Sequence, residues 1–168
     1  MKKLIILIIP LLILTGCKKQ EKITIPEKYY NEGKFITINS LENLENETYI
    51  LYTYNNYCTF EIPCDKIFKE YMEKYKIDFL SMPFKEFKNT KLYNKVKYAP
   101  SVIIVKEGKI ISYLNANKDK DLNKYQDVHE FEKWINKYIN TKESQSWFLL
   151  WWKKQFDKKC LTNKKRSV

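Results

Sequence analysis

Two cysteines, Cys58 and Cys64, have the spacing and setting for thiol chemistry. They lie in the stretch YILYTYNNYCTFEIPCDKIFKEY, residues 49–71. Its first part, Tyr49 to Tyr54, is a β-branched and aromatic run of strand character. Asn55-Asn56 signals a turn, Cys58 follows, and Thr59–Pro63 separates it from Cys64. Beyond, Ile67, Phe68, Tyr71, Met72 and Tyr75 recur at the three- and four-residue spacings of an amphipathic helix. Pro63 suits the first helical turn, where its missing N–H costs nothing. The thiols thus occupy a strand-to-helix turn, Cys58 just before the helix and Cys64 within its first turn. The partial positive charge of a helix N-terminus stabilises a thiolate, so such a pair can exchange disulfides. The same two residues also fit a structural disulfide, or two unpaired thiols. Glu61, between them, opposes thiolate formation wherever it comes close to either sulfur.

Other chemistries find less to stand on. Only three glycines occur, Gly16, Gly33 and Gly108, too few for a phosphate loop or a dinucleotide fingerprint. His129 is the single histidine; beside Glu130 on the last helix it reads as a surface residue, and no metal-ligand set accompanies it. No serine has an evident histidine partner for hydrolysis. Asp119 and Asp121, in a lysine-rich stretch, read as solvated charge. The formal net charge of +11 would ordinarily raise nucleic acid as a partner, but the charge sits at the ends. Residues 1–16 carry +2, residues 141–168 carry +6, and only +3 remains between. That distribution favours membrane contact over nucleic-acid binding.

The ends carry their own signals. Met1–Cys17, MKKLIILIIPLLILTGC, joins a basic start to an apolar run too short to span a bilayer. Its end, Leu14-Thr15-Gly16-Cys17, resembles the lipobox of bacterial lipoproteins. The resemblance implies cleavage before Cys17, lipidation of its sulfur and acylation of its new amino group, and so a lipid-anchored chain on the extracytoplasmic face. Export would place the cysteines where disulfides persist. Residues 1–16 are therefore expected to be a signal peptide and 17–34 a tether. Residues 141–168 form an aromatic and basic extension, in which Trp147–Trp152 is apolar but too short to span. Flanking lysines give it the composition of a segment lying in the membrane interface. A docking helix over the domain, or an extension without function, fits the same residues. Cys160 has no evident partner in the sequence.

Positioning the thiols needs a framework, and the order of elements supplies one. Phe35–Ile38 predicts a short strand, and Asn39-Ser40 a cap for a short helical stretch over Leu41–Glu47. After the cysteine turn and its helix, Asp78–Met82 predicts another strand and Lys91–Val96 a small helix. Tyr98-Ala99-Pro100-Ser101 interrupts that helix and leads into Val102–Val105. Lys106-Glu107-Gly108 predicts a hairpin turn, with Lys109–Leu114 as the returning strand. Asn115–Asp127 reads as polar loop. Val128–Ile139 closes the domain as an amphipathic helix with Val128, Phe131, Ile135 and Ile139 on its apolar face.

This order over about Phe35 to Asn140 resembles the thioredoxin fold, an α/β architecture with a central mixed sheet flanked by helices. Pro63-Cys64 at the helix start, Ala99-Pro100 before a strand, and the Val102–Ile111 hairpin with Gly108 carry the likeness. The Phe35–Cys58 segment looks most like bacteriocin transport accessory proteins. The resemblance implies a domain spanning residues 35–140, Cys58 as attacking and Cys64 as resolving thiol, and a cis Pro100 that shapes a substrate groove with Tyr57 and Ala99. It implies partners among exported protein thiols or disulfides, and neither metal nor organic cofactor. Three features depart from the family. Five residues separate the cysteines where two are usual, Tyr57 stands where tryptophan is common, and Tyr52 aligns with the buried acid that assists proton transfer. A binding or secretion-accessory module with Cys58–Cys64 as a fixed staple is the non-enzymatic alternative.

Overall fold

The computed structural model describes residues 21–55 and 62–142. The stretch read as an export signal, with Cys17, the pair Tyr57-Cys58, and the aromatic extension with Cys160 lie outside the described residues.

The core is a five-stranded sheet built from β2 (Phe35–Thr37), β3 (Thr48–Tyr54), β4 (Phe79–Pro83), β5 (Ser101–Lys106) and β6 (Lys109–Tyr113). In space the order is β2-β4-β3-β5-β6. β4 runs parallel to both β2 and β3, while β5 runs antiparallel to β3 and to β6. Strands buried on both faces read as continuous apolar runs rather than alternating ones. β3 and β5 do so: Tyr49–Thr53 and Ser101–Val105 are buried throughout. This is the mixed sheet of a thioredoxin-like fold, and the Ala99-Pro100 peptide bond preceding β5 is cis.

Helix α1 (Cys64–Tyr75) connects the parallel pair β3 and β4. Cys64, Ile67, Phe68, Tyr71 and Met72 form its buried stripe, the spacing that the sequence predicts. It ends at Lys76, which takes the left-handed conformation and donates its N–H to the Met72 carbonyl. Helices α3 (Asp119–Gln126) and α4 (Val128–Ile135) pack with α1. Rings join them: Phe68 meets Tyr125 at 5.7 Å and Phe131 at 4.7 Å, and Phe131 meets Tyr71 edge-on at 5.3 Å. Between β4 and β5 come the short helix α2 (Phe84–Phe87) and a 3-10 turn at Lys91–Asn94. Phe87, Leu92 and Val96 are their buried anchors.

The hairpin forms as expected. Glu107 and Gly108 both have positive φ, 49° and 70°, which matches the twist of the flanking strands. The 41–47 stretch holds a single 3-10 turn, Glu42–Leu44, with Ser40 Oγ accepting the Glu42 N–H.

Three stretches differ from the sequence expectation. Asn115–Asp127 is not all loop, because Asp119–Gln126 is helical. Its composition is polar, yet Tyr125 is fully buried and Asp121 is 8% exposed. Asp121 is accordingly not solvated charge: it accepts the Asn115 N–H and pairs with Lys124 at 3.0 Å. The closing helix stops at Ile135, four residues early. Ile139 instead enters a short strand β7 (Ile139–Asn140), parallel to β1 (Ile23–Thr24). Within the stretch read as a tether, residues from Ile23 onward therefore pack on the domain. Ile23, Ile25 and Tyr29 are buried, and the Ile23 N–H donates to the Tyr138 carbonyl at 2.7 Å.

Gly33 closes this N-terminal segment onto the sheet. Its φ is +77°, and its N–H and that of Lys34 both donate at 2.8 Å to the buried Asp78 carboxylate. A Cβ there would stand 2.8 Å from Glu73 N and closer still to the Met72 carbonyl. Gly33→Ala is expected to lower unfolding free energy by at least about 2 kcal/mol. Denaturant titration of the variant against the unsubstituted protein measures this; an unchanged midpoint would mean that the 30–34 turn does not clamp α1 to β4.

Candidate functional site

β3 delivers the chain to the site, and α1 carries it away. Cys64 is the first residue of α1 and only 1% exposed. Pro63 precedes it with φ −55° and ψ 120°, in the N-cap position, and contributes no side-chain cap. The helix thus opens on backbone N–H groups that no capping side chain occupies, which favours negative charge at its start.

Tyr52 reaches Cys64 from β3. Its hydroxyl lies 3.6 Å from the Cys64 sulfur, within hydrogen-bond range for sulfur. The ring is gripped by Phe35 at 5.1 Å, Phe68 at 5.3 Å and Tyr54 at 5.8 Å. A phenol thus lies against the sulfur that opens the helix.

Pro100 arrives on the neighbouring strand. Three bonds fix its approach: Tyr125 Oη donates to the Pro100 carbonyl at 2.9 Å, Ser101 Oγ to the Tyr98 carbonyl at 2.7 Å, and Asn55 Nδ2 to the Ala99 carbonyl at 3.4 Å. Burial pushes the Tyr125 phenol well above its ordinary value, and negative charge on Cys64, then on Asp121, pushes it the same way. Tyr125 is thereby locked as a neutral donor, close enough to sense a charge on Cys64.

Gln126, next to it, holds the other side. Its amide oxygen accepts the Ile62 N–H at 3.2 Å, and its Nε2 donates to the Ile62 carbonyl at 2.9 Å. This paired contact copies a β-bridge and ties the segment leading into Cys64 to the end of α3. Two residues before Cys64 and two before Pro100 stand Ile62 and Tyr98, which are 38% and 48% exposed. They are the large apolar side chains left exposed among the described residues.

The structure therefore brings Cys64, Ala99 and Pro100 to one end of the sheet. Cys58 and Tyr57 fall outside the described residues, as does Cys17. His129 is exposed, and its backbone N–H caps α4 by donating to Asp127 at 2.7 Å. Backbone donation from Glu130 and His129 holds the Asp127 carboxyl below its usual value. A cleft of about 650 Å³ lies at the opposite end of β3, lined by Tyr49, Leu92 and Glu107 among others. No cysteine lines it, so this hollow is separate from the surroundings of Cys64. Sequence reading misses Tyr125 and Gln126. Their signal was Leu122 and Tyr125 three residues apart, with acids at the start of the stretch and Lys124 near its end.

A scan against protein-family models finds no match, and a search of curated proteins finds none either. Among solved structures the chain is similar to a thioredoxin from Nicotiana alata, with 18% identity over 63% of this chain and 93% of that one, TM-score 0.45. It is similar to Schistosoma mansoni thioredoxin, with 21% identity over 65% and 99%, TM-score 0.44. It is also similar to spinach chloroplast thioredoxin f, with 18% identity over 64% and 96%, TM-score 0.40. The strand order β2-β4-β3-β5-β6, with α1 opening on Cys64 and Pro100 entering β5, defines the fold as thioredoxin-like in its own right.

Tyr125 and Gln126 should separate in experiment. Tyr125→Phe removes the donor to a buried carbonyl and is expected to cost about 1 kcal/mol of stability. Gln126→Ala should leave global stability within about 0.5 kcal/mol while amide exchange at Ile62 accelerates several-fold. Hydrogen-exchange mass spectrometry reads both. Unchanged exchange at Ile62 would mean that Gln126 does not hold this segment.

Proposed function

We propose that this chain is an exported, membrane-anchored thioredoxin-like thiol–disulfide oxidoreductase acting through Cys58 and Cys64. The observation that carries the reading is the placement of Cys64: first residue of a helix, buried, with Tyr52 against its sulfur and Tyr125 bridging to Pro100. In the proposed cycle the Cys58 thiolate attacks a substrate disulfide, forming a mixed disulfide and expelling one substrate thiolate. Cys64 then attacks the Cys58 sulfur, releases the second substrate thiol and leaves Cys58–Cys64 oxidised. Substrates are exported proteins presenting extended, apolar segments along Ile62, Tyr98 and Pro100. Lipidated Cys17 holds the domain at the membrane, and Trp147–Trp152 with its neighbouring lysines orients it on the lipid.

A second reading is favoured by one observation. Cys64 is almost wholly buried, as inert structural thiols are. On that reading the domain is a binding or secretion-accessory module stapled by Cys58–Cys64.

The full chain in detergent distinguishes the two. With Cys64→Ser, mixed disulfides with added peptide disulfides should accumulate through Cys58, mapped by mass spectrometry. Unsubstituted protein should cycle between one intramolecular disulfide and two thiols in glutathione buffers. Failure to trap any mixed disulfide, with a Cys58–Cys64 bond that resists strong reductants, would establish the staple. For the anchor, Cys17→Ser should move the protein out of the membrane fraction or leave the signal uncleaved. Unaltered fractionation, with no lipid label on unsubstituted protein, would remove the anchor from the proposal.

A further inference from the structure

Among the described residues, the groups around Cys64 supply a hydrogen-bond donor to its sulfur. From β3 comes the Tyr52 hydroxyl at 3.6 Å. From α3 comes Tyr125, whose proton is committed to the Pro100 carbonyl, with the buried Asp121 on the same helix paired to Lys124. On α1 itself the next charged side chains, Asp65 and Lys66, are exposed. A phenol keeps its proton near neutral pH. Once the Cys64 sulfur is ionised, the Tyr52 hydroxyl is therefore a partner able to donate. Its ring cannot swing away, because Phe35, Tyr54 and Phe68 pack around it.

We propose that Tyr52 is a positioning residue for disulfide exchange: its hydroxyl donates to the Cys64 sulfur and stabilises the thiolate that Cys64 becomes in order to resolve the mixed disulfide. This rests on the thiol-exchange reading above. In the step concerned, Cys64 loses its proton to water and its sulfur attacks the Cys58 sulfur. The Cys58–Cys64 bond forms, the bond from Cys58 to the substrate sulfur breaks, and the departing thiolate takes up a proton from water. The substrate disulfide is the oxidant, so two electrons pass from the cysteine pair to the substrate. Tyr52 neither gains nor loses a proton. It lowers the cost of the charge that appears on Cys64, and helix α1 adds to that by its orientation.

Tyr52→Phe tests this cleanly, because the ring contacts with Phe35, Tyr54 and Phe68 are kept and only the hydroxyl goes. In the reduced full chain carrying Cys58→Ser, the carbon-13 shift of the Cys64 Cβ is followed against pH. Tyr52→Phe should reduce the Cys64 thiolate fraction at a given pH about tenfold, as loss of a charge-assisted hydrogen bond implies. With both cysteines present, resolution of a preformed mixed disulfide should slow by a similar factor, while initial attack by Cys58 keeps its rate. Tyr71→Phe is the control, since that buried hydroxyl donates to Asn136 at 3.0 Å instead. An unmoved Cys64 titration, or an equal shift in the Tyr71 variant, overturns the proposal. Those results leave the oxidoreductase reading intact as long as Cys64→Ser still traps mixed disulfides. If it does not, the reading itself has failed.

Discussion

Across the centre of the sheet, Thr53 pairs with Ser101 and Tyr52 with Val102 in antiparallel register. That pairing controls what meets at the site. Where β3 ends, β5 begins, so the residues following Tyr54 lie opposite those preceding Ser101. Asn55 consequently reaches the Ala99 carbonyl, and Pro100 is delivered to the end of the sheet where β3 finishes. A one-residue slip would turn every side chain of one strand to the other face. Tyr52 would then point away from α1, and the sulfur would lose its phenol. Register is strongly specified because Tyr49–Thr53 and Ser101–Val105 are buried throughout.

The second constraint is aromatic. Tyr52, Phe68, Phe131 and Trp134 form a chain of rings, each within 6 Å of the next, that ties β3 through α1 to α4. A buried ring excludes water over a large area, yet its orientation is restricted by its neighbours. Tyrosines in and beside this chain add hydroxyls at defined points without introducing charge. Tyr71 uses its hydroxyl on Asn136, Tyr125 on Pro100, and Tyr52 on Cys64. The core therefore places polar handles in the same act that closes it. Helix α3 depends on this most, because its sequence DKDLNKYQ offers little apolar surface beyond Leu122 and Tyr125.

Much of this was legible from residue pattern alone, because β3, β5 and α1 bury one class of side chain at one period. The hairpin at Glu107-Gly108 was legible for another reason: few residues accept two successive positive φ angles, and glycine marks one of them. Helix α3 was not legible, because its stability comes from a single buried tyrosine and an acid–lysine pair rather than from an apolar stripe. Asp121 was read as solvent-facing because a buried carboxylate depends on partners, here Asn115 N–H and Lys124, that no local pattern announces. The early end of α4 and the packing of Ile23 share one cause. A two-residue strand pair between chain segments 116 residues apart leaves no periodic trace. At the site, Cys64 and Pro100 stood out by type, whereas Gln126 did not. Its role arises from where Ile62 comes to rest.

A phenol beside Cys64, where a carboxylate could have stood, sets the electrostatics of the proposed exchange. A buried carboxylate can accept the thiol proton, but once ionised it opposes the thiolate it helps to form, since two negative charges would then share a poorly screened site. Tyr52 stays neutral near pH 7 and adds no opposing charge; its hydroxyl can accept from the thiol or donate to the thiolate, and the bond donated to the charged sulfur is the stronger. The consequence falls on where the proton goes. Tyr52 keeps its own proton near neutral pH, so on the thiol-exchange reading the Cys64 proton leaves to water and not to this hydroxyl. Ile62, two residues before Cys64, is held by two exposed hydrogen bonds exchanged with Gln126, each individually weak in contact with water. Tyr52 then stabilises the charge that remains on the sulfur, one of two tasks that a buried acid in its place would combine.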